Sequence, residues 1–156
     1  MMIFKTYYKS PFAALEITAN DFAIIKLNFL KKFPTAKNSG KIPGHLKLTV
    51  KQLNEYFTHK RRCFDLPVLI DGTDFQMKVW MHLIKINYSS TASYADIAKA
   101  IKKPQSFRAV GNAVGLNPLP VIIPCHRIIH SNGDILGYTG GNHIKKWLLR
   151  HEGIIS

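Results

Sequence analysis

At 156 residues, 46% of them hydrophobic and 20% charged, the chain has the proportions of one ordinary globular domain or two small ones, which excludes an intrinsically disordered polymer. Lysine and arginine number 22 against 9 acids, a formal net charge of +13. That balance suits a polyanionic partner, nucleic acid being the commonest soluble one, or a general solubility charge. The excess is spread along the chain, with 12 basic and 5 acidic residues over 1–72 and 10 and 4 over 73–156, so charge alone locates no binding face.

The first third is predicted to form strands. Residues 3–8, 12–18 and 22–29 are rich in β-branched and aromatic side chains and are separated by the turn formers Ser10-Pro11 and Asn20-Asp21. The second and third strands are expected to pair as a hairpin. Pro34, Asn38, Ser39, Gly40, Pro43 and Gly44 mark residues 31–44 as a loop. Leu46, Val50, Leu53 and Phe57 then recur at helical spacing, predicting a helix to about residue 59 with that face inward. Residues 64–69, interrupted by Pro67, read as an edge strand. The result is a small sheet crossed by a helix, a support domain over residues 1–72 that ends near Asp71-Gly72.

The second half has a different pattern. Thr73 and Gln76 have capping-box spacing before a helix with Phe75, Val79, Leu83 and Ile86 on one face, and Ser93 and Asp96 repeat that spacing before Ile97, Ala98 and Ile101. Pro104 marks a turn, and Ser106 is expected to cap a third helix from Phe107 to about Gly115. Two short helices joined by a tight turn outline a helix-turn-helix. On the third helix Phe107, Val110 and Val114 are expected to face the core, while Arg108, Gly111, Asn112 and Gly115 share another face. A helical glycine costs roughly 1 kcal/mol relative to alanine, so two on one face imply close approach of another backbone. A neighbouring helix and a DNA groove both fit.

Downstream of Asn117-Pro118, the triplet Cys125-His126-Arg127 lies between the apolar runs Val121–Pro124 and Ile128-Ile129. A thiol attacks carbon as a thiolate, and nearby histidine or arginine favours that form in a dry site. In a regular strand Cys125 and His126 would point to opposite faces. They can cooperate if Pro124 breaks the strand or if a water links them, and a Cys-His pair can equally be core packing. The turn Ser131-Asn132-Gly133, the loop from Gly137 to Gly141 and a last helix over 142–151 follow, ending at Glu152-Gly153. The only other cysteine is Cys63, and residues 1–10 lack the apolar core of a secretory signal. Free thiols in a cytoplasmic protein, without membrane association, are therefore expected.

The stretches Pro124-Cys125-His126-Arg127, Gly137-Tyr138-Thr139-Gly140-Gly141 and Lys146-Trp147-Leu148-Leu149-Arg150-His151-Glu152-Gly153 resemble the O6-alkylguanine-DNA alkyltransferases. The likeness extends upstream through Ser93-Tyr94, Arg108-Ala109-Val110-Gly111 and Asn117-Pro118; it is firm over residues 73–156 and general over 1–72. It implies an α+β protein of two small domains. The N-terminal one would be an antiparallel sheet with a helix (ribonuclease H-like), the C-terminal one a helical winged helix-turn-helix domain carrying the reactive cysteine. It implies that Cys125 accepts the alkyl group of O6-alkylguanine, with O4-alkylthymine a further substrate, in one irreversible displacement without turnover or cofactor. His126 would act as base through a bridging water, with Glu152 orienting it, Tyr94 protonating the departing guanine and Asn117 fixing the turn before the site. Double-stranded DNA would be held through its minor groove by a monomer, with the damaged base flipped out. Arg108 would fill the space left behind, and Gly111, Asn112, Gly115 and Arg127 would lie against DNA. Tyr138, Thr139, Lys145 and Ile128 would line the pocket. Some relatives bind a structural zinc through N-terminal cysteines; no cysteine precedes Cys63 here and no metal is expected. Two other classes compete: a non-catalytic lesion sensor, which has no need of Cys125, His126 and Glu152 together, and a cysteine hydrolase with many turnovers.

Overall fold

Alternating side chains and two side-chain-stapled turns set the first unit. In the computed structural model, which describes residues 1–35, 40–135 and 137–156, the chain divides into two compact units, Met1–Ile70 and Asp71–Ser156. Strands β1 (Phe4–Lys9), β2 (Ala14–Ala19) and β3 (Ile24–Leu30) form an antiparallel sheet in the order β1-β2-β3. Asn20 Oδ1 closes the second turn by accepting from the backbone N–H groups of Phe22 and Ala23, both at 2.8 Å. Asn38 and Ser39, named above as loop residues, lie outside the described residues.

Leu15, Ile17, Ala19 and Leu27 are buried on the sheet, and helix α1 (Gly44–Phe57) supplies Leu46, Leu53, Tyr56 and Phe57 to the same core. Phe57 stacks on Tyr8 of β1, ring centroids 5.8 Å apart. The inward face of α1 is turned from the expected one: Val50 is only half-buried, while Thr49 and Gln52 are buried. The cause is polar. Gln52 donates to the carbonyl of Asp65 and accepts from its N–H, both at 2.9 Å, so its amide serves the backbone where a strand partner would. The expected edge strand over 64–69 is accordingly reduced to a single parallel bridge between Ile24 and Val68. Pro67 has no N–H to extend it, and contributes only its carbonyl to Ile24 N.

In the second unit both predicted capping boxes form, Thr73 with Gln76 opening α2 (Asp74–Ile84) and Ser93 with Asp96 opening α3 (Tyr94–Ala100). Trp80, rather than Phe75, joins Val79 and Leu83 as the buried residues of α2, and its indole N–H donates to the Ala113 carbonyl of α4 (Phe107–Gly115) at 2.8 Å. Gly72 makes room for that ring: a Cβ there would fall 2.6 Å from it. The α3–α4 turn passes through Lys102 at φ +62°, a left-handed corner uncommon outside glycine.

Two expectations for α4 need correction. Ser106 occupies the N-cap position but makes no side-chain cap, because its backbone (φ −94°, ψ 23°) is not the extended conformation that aims the hydroxyl at the first turn. Phe107 is 48% exposed; the buried stripe is Val110, Ala113 and Val114, which leaves Phe107 at its edge. The strand content is slight. β4 (Ala92–Ser93) pairs in parallel with β5 (Ile128–Ile129), two residues each. Helix α5 (Asn142–His151) packs Ile144, Lys145, Leu148 and Leu149 inward. It ends at Gly153, whose φ of +76° lets Ile154 N–H reach back to the Leu149 carbonyl.

Candidate active site

The Cys125-His126-Arg127 triplet is held by the segment before it. Asn117 Oδ1 accepts from Leu119 N–H and its Nδ2 donates to the Ile123 carbonyl, each at 2.9 Å, so one side chain spans the turn after α4. Within that turn Val121 sits at φ +74°, an outlier for a β-branched residue. Beyond Pro124 the backbone does not continue as a strand; Cys125–Arg127 is a 3₁₀ turn. That geometry projects three successive side chains about 120° apart. It removes the two-face problem of a strand and sends Cys125, His126 and Arg127 in three directions, all of them buried.

Cys125 is 5% exposed. Burial pushes its thiol above the ordinary value, while hydrogen bonds from the Asn117 and Tyr138 side chains and the charge of Lys145 pull it back. Lys145 is fully enclosed, and its Nζ donates to the Ile128 carbonyl at 2.6 Å. It therefore belongs to the pocket, with burial holding its pKa below the usual lysine value. Ile128 contributes that carbonyl from β5, its side chain being wholly buried.

The next two residues in sequence enter a buried ionic group. Glu152, at the C-cap of α5, takes His126 Nε2 on one carboxylate oxygen at 2.6 Å and Arg127 Nε on the other at 2.8 Å. Arg127 Nη2 reaches the first oxygen at 3.1 Å, and its Nη1 donates to the Ile86 carbonyl at 2.7 Å. This corrects the assignment of Arg127 to the DNA face. At 6% exposure its guanidinium is consumed inside the domain. The same group sets the charge of His126, whose expected partner Glu152 is in place. Burial lowers the imidazole pKa most; Glu152 raises it, but Arg127 and Lys145 lower it again. The resting imidazole is therefore neutral. Its Nε2 proton goes to Glu152, which leaves Nδ1 with a lone pair and no hydrogen-bond partner among the described residues. A thiol beside such a base can be deprotonated when an electrophile arrives, and the carboxylate steadies the imidazolium so formed.

The surface above Cys125 has two tiers. A cavity of about 10 Å³ is bounded by Cys125, Tyr138, Thr139, Lys145 and Gly115. A cleft of about 570 Å³ lies outside it, lined by Phe107, Arg108, His130, Ser131 and Asn132. Tyr94, Gly111 and Gly137 border both. Thr139 Oγ1 donates to the Gly115 carbonyl at 2.9 Å, tying the loop to the end of α4. Arg108 and Asn112 are exposed on the outer face of α4. A Cβ placed on Gly111 would meet the Tyr94 ring at 3.7 Å, and one on Gly115 would meet Thr139 Oγ1 at 3.7 Å. Both are ordinary contacts, so the domain's own packing does not demand either glycine.

Ser89 and His130 were not singled out by sequence. Ser89, at φ +64°, donates its N–H to Glu152 Oε1 at 3.2 Å and its hydroxyl to the Glu152 carbonyl. A serine 63 residues from its partner leaves no local pattern to read. His126 and His130 stand four apart, a spacing that can share a metal on a helix. Here one is committed to Glu152 and the other packs on Tyr94. Among the described residues no group of three or more His, Cys, Asp or Glu side chains could hold a metal ion.

A buried thiol next in sequence to a histidine–carboxylate pair shares this unit with two short helices joined by a tight turn, and comparison gives the class. The family model described as the DNA-binding domain of 6-O-methylguanine DNA methyltransferase matches residues 74–154, and the model of its ribonuclease-like domain matches residues 3–70. The chain belongs to that family. Methylated-DNA–protein-cysteine methyltransferase of Methanosarcina barkeri is 39% identical over 151 residues, covering 92% of this chain and 93% of its own. The crystal structure of the Mycobacterium tuberculosis O6-methylguanine methyltransferase superposes with a TM-score of 0.85 at 37% identity, covering 97% of this chain and 93% of that one. A structure of the M. tuberculosis protein in complex with DNA gives a TM-score of 0.83 at 38% identity, covering 94% and 91%.

Proposed function

We propose that this protein repairs DNA by moving the alkyl group of O6-alkylguanine onto the sulfur of its own Cys125, once per molecule and without a cofactor. The observation that carries this is Cys125 at the floor of a small cavity, with the neutral His126 and its Glu152 behind it and an exposed, small-faced α4 beside the opening. His126 Nδ1 takes the thiol proton through a bridging water. The sulfur attacks the alkyl carbon, and the carbon–O6 bond breaks with its electron pair left on guanine. Tyr94 donates a proton to the departing base, so that it leaves neutral, and the proton on His126 restores the tyrosine through solvent. The product is a thioether, which water does not cleave.

DNA is the partner. The O6 position of a stacked guanine cannot reach a floor 5% exposed, so the base is flipped into the outer cleft and then toward Cys125. In this reading α4 lies in the minor groove, Arg108 fills the vacated stack, and Gly111 and Gly115 let the helix approach closely, with Asn112 facing the groove. The protein acts as a monomer in the cytoplasm; among the described residues no helix is long and apolar enough to cross a membrane.

Intact mass before and after incubation with duplex DNA containing one O6-methylguanine tests the proposal. One methylene gained per chain, mapped to the peptide holding Cys125, is expected, with none gained by Cys125→Ala. Tight lesion binding without a mass change would make the protein a sensor. Repeated release of product by a fraction of a molar equivalent of protein would make it a hydrolase.

A further inference from the structure

We infer that His130 is a positioning residue for alkyl transfer, holding the Tyr94 ring as the wall between the outer cleft and the cysteine cavity. The inference rests on Tyr94 as proton donor to the leaving guanine. Tyr94 borders both spaces, and its ring centroid lies 4.9 Å from that of His130 at a 45° tilt. On the α4 side a Cβ built on Gly111 would contact the same ring at 3.7 Å. The ring is thus packed by the imidazole on one side and faces, on the other, a glycine with no side chain to press on it.

His130 is itself held. Its N–H donates to the Asp134 carbonyl at 2.8 Å and its carbonyl accepts from Gly133 N–H at 2.9 Å, at the base of the Ser131–Gly133 turn. The ring is exposed at the cleft, so it is not there to fill a core. Nothing else described above gives it work. Truncating it would leave Tyr94 free to lean into the outer cleft, away from the atom it must protonate. His130 also lines the cleft that receives the base, so the chemical step is separated from binding by measuring it with all the DNA bound.

The test is the first-order rate of methyl transfer at saturating lesion duplex, measured beside the DNA dissociation constant. With all the DNA bound, His130→Ala should slow transfer about tenfold, the scale of a lost aromatic contact, whatever affinity the loss of a cleft side chain costs. His130→Phe, which keeps a ring against Tyr94, should recover most of the rate. In a Tyr94→Phe background the phenol is gone, and His130→Ala should then cost little more. Equal slowing in the two backgrounds, a loss confined to DNA affinity, or no rescue by phenylalanine would each overturn the inference. Should Tyr94→Phe alone leave the rate unchanged, the proton-donor role of Tyr94 fails instead, and the positioning role falls with it.

Discussion

Glu152 accepts hydrogen bonds from three residues at once, so its removal breaks several buried contacts together. Its carboxylate is fully buried between His126, Arg127 and the Ser89 N–H. Glu152→Gln keeps the shape but leaves the Arg127 guanidinium buried without its counter-charge, a loss of about 3–5 kcal/mol for broken buried pairs. Urea denaturation should show a midpoint shift of that size, with methyl transfer lost as well. An unchanged midpoint would mean that the cluster contributes nothing to folding. His126 gives a pH signature with a definite sign. Burial lowers its folded pKa below the ordinary 6.5, so the unfolded chain binds more protons in that range. This contribution to stability is whole above about pH 6.5 and is lost progressively as pH falls below it. Thermal unfolding midpoints recorded from pH 8 to 5 should decline on the acid side, and His126→Asn should flatten the decline relative to wild type. An equally steep decline in the variant would assign the effect elsewhere.

On the scale of elements, α4 can be separated into a half that holds the fold and a half that does not. Val110, Ala113 and Val114 are buried, whereas a methyl group at Gly111 would make only ordinary contact with Tyr94. Gly111→Ala should therefore keep or raise stability, by up to about 1 kcal/mol from helix propensity, while weakening binding to duplex DNA. Calorimetry and a binding titration on one preparation check both halves; destabilisation would show that the glycine serves internal packing. What was legible in the sequence divides along the same line between local and distant causes. The capping boxes of α2 and α3 and the three strands depend on neighbours a few residues away, and all of them formed. Cys125, His126 and Glu152 were marked by a resemblance of motif; in the fold Cys125 lines a small cavity and His126 pairs with Glu152. The inward turn of Arg127 was not legible, because its partners lie 25 residues later and 41 earlier and impose no periodicity between them. The face of α1 was misjudged for a like reason: Gln52 looks solvent-facing until Asp65 arrives to pair with it. The 3₁₀ turn at Cys125 could not be told from a strand, since an apolar run around a proline allows either.

For the whole molecule, the two cysteines make a natural comparison. Cys63 is exposed in the first unit and Cys125 is buried in the second. In the absence of DNA, iodoacetamide should alkylate Cys63 long before Cys125, as peptide mapping over time would show. Comparable rates would mean that the cavity opens freely in the unliganded protein. The difference reaches beyond labelling. A reagent that can be spent only once has to survive between synthesis and use, among peroxides and stray electrophiles that favour thiolates. Burial pushes the Cys125 thiol pKa up, which favours the protonated sulfur, and in the proposed mechanism His126 takes that proton only when a substrate is in place. The enclosure that slows access to the sulfur is also what gives each molecule its shelf life.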